Sequence, residues 1–110
     1  MLKAYLLLFV AVFFEVAGTM LLPVTNNFTK ALPTIALAIF YLIAFYLLTF
    51  VTQKLPIGVV YATWSGLGIF SIAVLGYIFY KQALSWQVVL GLFIIVIGII
   101  LVNIFSVKTL

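Results

Sequence analysis

Three short polar breaks divide this chain into four long apolar runs. The runs cover residues 4–22, 34–52, 57–80 and 86–105. Each approaches the roughly 20 apolar residues that carry a helix across a bilayer. The breaks are built from turn formers. The first, from Pro23 to Pro33, holds Thr25, Asn26, Asn27, Thr29 and Lys30. These residues favour turns by fixing φ or by bonding their own backbone. The second, Gln53 to Pro56, is tight and favours antiparallel neighbours. The third runs from Lys81 to Ser85. All three prolines punctuate: Pro23 closes the first run, Pro33 opens the second and Pro56 opens the third. Proline is tolerated at a helix start because its missing N–H would have no partner there. The pattern predicts four membrane-spanning helices in a single domain over residues 1–110.

Composition makes lipid the solvent. Hydrophobic residues make up 69% of the 110 positions and charged residues 5%. Mean hydropathy is +1.53. A water-soluble domain has no means of hiding so much apolar surface. The net charge of +4 comes from five lysines, each near a run's end, where they anchor helices at the interface. That charge is scattered and points to no nucleic-acid partner. Lys3 followed by apolar residues also fits a secretory signal. However, the run is long enough to span, carries an acid at its centre and lacks a small-residue cleavage site. Cysteine and histidine are absent and the chain has one acidic residue. Disulfides, nearly all metal-site chemistry and the Ser-His-Asp and Cys-His triads are thereby excluded. The chain is read as neither an enzyme nor a cofactor protein.

That one acid is Glu15, in the middle of the first run. Ionisable groups at bilayer depth cost several kcal/mol and usually mark a proton or ion path. Leu8, Ala11, Gly18, Thr19 and Leu22 fall at helical offsets from Glu15 and share its face. The face is mostly small and has room for a large cation. Two aromatic stripes add candidate walls. Tyr41, Phe45 and Leu48 line one face of the second run; Tyr61, Trp64 and Gly68, with Ser65 beside them, line the third. Aromatic faces attract cations by about 0.5–2 kcal/mol, although packing accounts for the same spacing. Gly66 and Gly68 allow either a kink or a close helix approach. Gly91 and Gly98, seven apart, share a face suited to helix packing.

With the N-terminus inside, Lys3, Lys54 and Lys108 lie on the inner side, against Lys30 and Lys81 outside. An excess of one is too small to fix orientation. Insertion both ways would let two copies supply the inverted repeat that many transporters carry within one chain. The expectation is an antiparallel dimer.

Three stretches resemble the small multidrug resistance family over nearly the whole length. They are Glu15-Val16-Ala17-Gly18-Thr19, the run from Leu55 through Pro56, Tyr61, Trp64 and Gly66 to Gly68, and Gly91 with Gly98. The resemblance implies an antiparallel homodimer in the bacterial inner membrane that exports lipophilic and quaternary ammonium cations in exchange for protons. It implies Glu15 as the site shared by proton and cation, and an aromatic box of Tyr41, Tyr61 and Trp64. Tyr5, Leu8, Ala11, Gly18 and Thr19 would line the first-helix wall, Gly66 and Gly68 would form a kink, and Gly91 and Gly98 the dimer seam. The family's guanidinium exporters usually carry Trp in place of Gly18 and Ser in place of Ala44, so this chain looks like the quaternary-ammonium type. It departs from the family in the first loop. Leu22-Pro23 and Asn26-Asn27 stand where a lysine and an acid-glycine pair are common. The rival readings are an exporter of polyamine or guanidinium-like metabolites, one half of a heterodimer, and a membrane assembly subunit that transports nothing.

Overall fold

The computed structural model describes residues 2–106. Lys108, counted above among the inner charges, lies outside the described residues. Four α-helices account for most of the chain: α1 (Leu2–Met20), α2 (Ala31–Val51), α3 (Ile57–Tyr80) and α4 (Trp86–Ile104). All four are long and apolar enough to cross a membrane. No strand occurs among the described residues. The chain divides into two compact units, Met1–Lys54 and Leu55–Leu110.

The first unit is the α1–α2 hairpin. Gly18 lies against Tyr41 and the Leu37 carbonyl. Ala4 shares a cavity with Phe50 at the opposite end of both helices, so the pair is antiparallel. Leu8, Ala11 and Ala44 are fully buried. Small residues at such a seam let helices approach closely, which matters in lipid, where apolar burial alone drives no association. Phe14 and Phe40 add a ring contact at 5.9 Å. The outward faces are large and bare: Phe13, Leu32 and Leu42 are each exposed, as lipid-facing residues should be.

The first break is more ordered than its composition suggests. After α1 ends, Pro23 starts a short 3-10 turn, Pro23–Thr25. Thr25 is almost fully buried and pins the loop. Its Oγ1 donates to the Leu22 carbonyl at 2.8 Å and accepts from the Phe28 N–H at 3.2 Å. Its own carbonyl accepts from the Thr29 and Lys30 N–H groups. Asn26, Asn27 and Phe28 then hold positive φ angles of 49°, 58° and 65°. Asparagine visits this region readily; phenylalanine rarely does. The helix that follows begins at Ala31, upstream of Pro33. Proline survives there because it sits in the first turn, where N–H groups have no helical partner.

The second unit is the α3–α4 hairpin. Pro56 is the N-cap of α3 and Lys81 ends it with φ 56°. The Gln82 N–H reaches back to the Gly76 carbonyl, closing the helix end. Ser85 caps α4, its Oγ accepting from the Val88 N–H at 3.3 Å. Gly66 is buried in an unbroken α3. A Cβ there would overlap Ile99 Cδ1 and sit 2.7 Å from its Cγ1, so the bare glycine makes room for α4.

A polar bond ties these helices. Asn103 Nδ2 donates to Thr63 Oγ1 at 2.9 Å and to the Ile99 carbonyl at 2.9 Å. Thr63 is buried. Interhelical hydrogen bonds in membranes average about 0.6 kcal/mol, with a maximum near 1.7. Thr63→Val should therefore lower resistance to unfolding in detergent by about that amount, without altering helix content. An unchanged unfolding midpoint would mean that the bond contributes nothing.

Candidate functional site

The site begins with a helix spacing. Glu15 and Thr19 are one turn apart on α1, and Thr19 Oγ1 donates to Glu15 Oε1 at 3.0 Å. The antiparallel packing of α2 brings Tyr41 to the same level. Its Oη lies 2.5 Å from Thr19 Oγ1. Thr19 has a single hydroxyl proton, so giving it to Glu15 makes Tyr41 the donor in the second bond. The three groups form a directed chain: Tyr41 hydroxyl to Thr19 hydroxyl to Glu15 carboxyl.

Packing fixes this geometry. Gly18 exposes its backbone to the Tyr41 ring so closely that a Cβ would sit 2.7 Å from both Cδ1 and Cε1. The glycine thus sets the depth to which Tyr41 can settle. Phe45 meets Tyr41 edge-on, with ring centroids 6.4 Å apart. Glu15, Thr19 and Tyr41 are each partly buried. No buried side-chain nitrogen or oxygen among the described residues lacks a partner. Inside a bilayer this is required, because no water is at hand to satisfy a stray polar group.

The remaining candidates separate by unit. In the first, Leu8 and Ala11 are fully buried and Leu48 nearly so, while Tyr5 is half-buried and Phe45 is exposed. In this conformation Leu8, Ala11 and Leu48 are taken up by packing. In the second unit, Tyr61 and Trp64 pair with ring centroids 5.4 Å apart at 52°. Tyr61 is exposed and Ser65 half-buried. Gly68 is buried within α3. On α4, a Cβ at Gly91 or Gly98 would meet nothing within 4 Å.

Sequence reasoning placed Thr19 on the face of Glu15, which the i, i+4 spacing makes visible. It did not foresee that Thr19 bridges to Tyr41, 22 residues away. Nor did it see the Thr63–Asn103 bond.

The architecture and the site together define a multi-pass membrane protein of four apolar helices, with one hydrogen-bonded acid within the first. Comparison with known proteins narrows the class. The family described as Small Multidrug Resistance protein matches residues 3–95. Nicotine metabolites export pump subunit NepA of Paenarthrobacter nicotinovorans is 44% identical over 88% of this chain and 84% of its own length. Quaternary ammonium compound-resistance protein QacE of Escherichia coli is 38% identical over 94% of each chain. Multidrug resistance protein EbrA of Bacillus licheniformis is 30% identical over 94% of this chain and 98% of its own. The chain belongs to the small multidrug resistance family and is a multi-pass protein of the bacterial inner membrane.

Proposed function

We propose that this protein is a proton-coupled antiporter that exports lipophilic and quaternary ammonium cations, with Glu15 serving proton and cargo in turn. The observation that carries the reading is the Tyr41–Thr19–Glu15 chain on a membrane-spanning helix. An ionised carboxylate at that depth needs a neutralising partner. A proton or an organic cation can fill the role, and the two compete. With Glu15 ionised, Thr19 and Tyr41 donate toward it. With Glu15 protonated, the acid itself becomes a donor and both hydroxyls are free to turn round. The Glu15–Thr19 and Thr19–Tyr41 bonds survive either state by rotation of the hydroxyls. Exchange then requires only a scaffold that opens to one side at a time.

Tyr41 with Phe45 in one unit, and Tyr61 with Trp64 in the other, would offer aromatic faces to a bulky cation. Ser65 would add a hydroxyl; Tyr5, Leu8, Ala11, Gly18 and Leu48 would shape the wall beside Glu15. Gly66 and Gly68 would let α3 bend. The working form is an antiparallel homodimer, with all four spans of each chain as one domain. The open faces at Gly91 and Gly98 support a seam there, because bare glycines allow close helix contact. Bulky cargo is favoured by the names of QacE and EbrA, which link relatives of similar length to quaternary ammonium compounds and multidrug resistance. No enzymatic step is proposed.

The test is binding of tetraphenylphosphonium to the purified protein between about pH 5 and 9. The cation requires the ionised acid, so affinity should climb with pH by up to about tenfold per unit where one proton is displaced, then level off. Absent binding, or affinity indifferent to pH, would overturn the reading. A second reading has one observation behind it: NepA is described as a pump subunit. On that reading the partner is a different chain, and this one expressed alone confers no resistance.

A further inference from the structure

A cavity of about 250 Å³ opens at the end of the α1–α2 hairpin where α1 begins and α2 ends. Lys3, Lys54 and Gln53 line it together with Ala4, Leu7 and Phe50. We propose that this cavity binds the phosphodiester headgroup of an anionic phospholipid. Two observations converge on an anion. Lys3 and Lys54 line one space. Finally, the chain has one side-chain carboxylate, and it is engaged by Thr19 on α1. No other acidic side chain exists to neutralise the lysines. A second copy of the same chain has none to offer either.

The remaining lining selects a lipid over free phosphate. Leu7 lies one turn further along α1 than Lys3, and Phe50, 41% exposed, lies in the last turn of α2 before the loop that carries Lys54. Apolar walls directly beneath a basic mouth suit a glycerol backbone and the start of an acyl chain. They give nothing to a hydrated inorganic ion. The mouth sits at the ends of two membrane-spanning helices, the level at which headgroups lie. The volume is about that of eight waters, at roughly 30 Å³ each, which is ample for a phosphodiester. Gln53 can donate to a phosphate oxygen that the lysines leave open.

The experiment counts lipids retained by the full-length protein in native mass spectrometry. Detergent-solubilised protein is offered phosphatidylglycerol or phosphatidylcholine of matched chains. The expected result is retention of phosphatidylglycerol with a preference of roughly tenfold or more, lost in the Lys3→Gln/Lys54→Gln double variant. The control variant Lys30→Gln/Lys81→Gln removes the same charge elsewhere and should keep the preference. Equal loss in both variants would reduce the effect to net charge and overturn the site. Displacement by inorganic phosphate alone would reassign the cavity to a free anion and overturn the lipid. Helix content by circular dichroism confirms that each variant is folded.

Discussion

On the proposed mechanism, Glu15→Gln should abolish proton-driven export and, in the same stroke, remove the pH dependence of cation binding. Glutamine is the informative choice because it keeps the shape. Its carbonyl oxygen can still accept from Thr19, so the hydroxyl chain survives and the helices need not repack. Only the charge and the exchangeable proton are lost. Removing one partner of a desolvated charge pair costs about 2–5 kcal/mol. Affinity for tetraphenylphosphonium should therefore fall by at least about 30-fold at high pH and no longer change across the titration. In vesicles with an imposed pH gradient, uptake should drop to the level of empty membranes. Glu15→Asp restores a carboxylate on a shorter arm and should recover pH dependence with weaker binding. Gradient-driven uptake surviving in Glu15→Gln would rule out a shared site.

The second large effect is expected from Gly18→Val. Helix propensity favours replacing glycine by about 1 kcal/mol, at least in soluble hosts, which makes alanine a weak probe. Valine brings two further carbons toward the Tyr41 ring, where a Cβ alone already sits 2.7 Å from two ring atoms. The clash is with the flank of the ring, at Cδ1 and Cε1, so the whole side chain must move. Overpacking of this kind costs about 1–3 kcal/mol. Moving the ring also draws Tyr41 Oη off Thr19. The variant should unfold earlier in detergent and bind tetraphenylphosphonium more weakly. Tyr41→Phe separates the two consequences: it keeps the ring, removes the hydroxyl, and should weaken binding while barely changing stability. If Gly18→Val left both properties intact, the close approach would have no energetic meaning.

The parts of this structure that follow from length and apolarity were readable in advance. Runs of apolar residues closed by prolines and lysines gave α3 and α4 almost residue for residue, because lipid tolerates little polarity within a span. The start of α2 was misplaced by three residues, because Pro33 is tolerated in the first turn as well as at its start. What the sequence hid was which face meets which. A helix in lipid is apolar all round, so no amphipathic stripe marks its packing side. Tyr41 was visible as an aromatic in the second span, and Thr19 as a neighbour of Glu15, yet their bond depends on the register of two featureless surfaces. Gly66 left a kink and a close approach equally open; the side chain of Ile99 in its place shows the close approach. In the first loop, composition announced a turn but gave no sign that Phe28 would share the left-handed conformation of two asparagines.

The hydroxyl chain also has a spectroscopic side. Because Glu15 is the sole side-chain acid, a neutral carboxyl stretch in the infrared has one possible source among the side chains, and no mutant is needed to assign it. Tyr41 serves as a second, coupled reporter. Its phenol C–O vibration differs between a hydroxyl that donates and one that accepts, and that direction is tied through Thr19 to whether Glu15 holds its proton. With Tyr41 set apart from the other five tyrosines by site-specific isotope labelling, two bands, one from each end of a three-residue wire, would follow the occupancy of the proposed transport site.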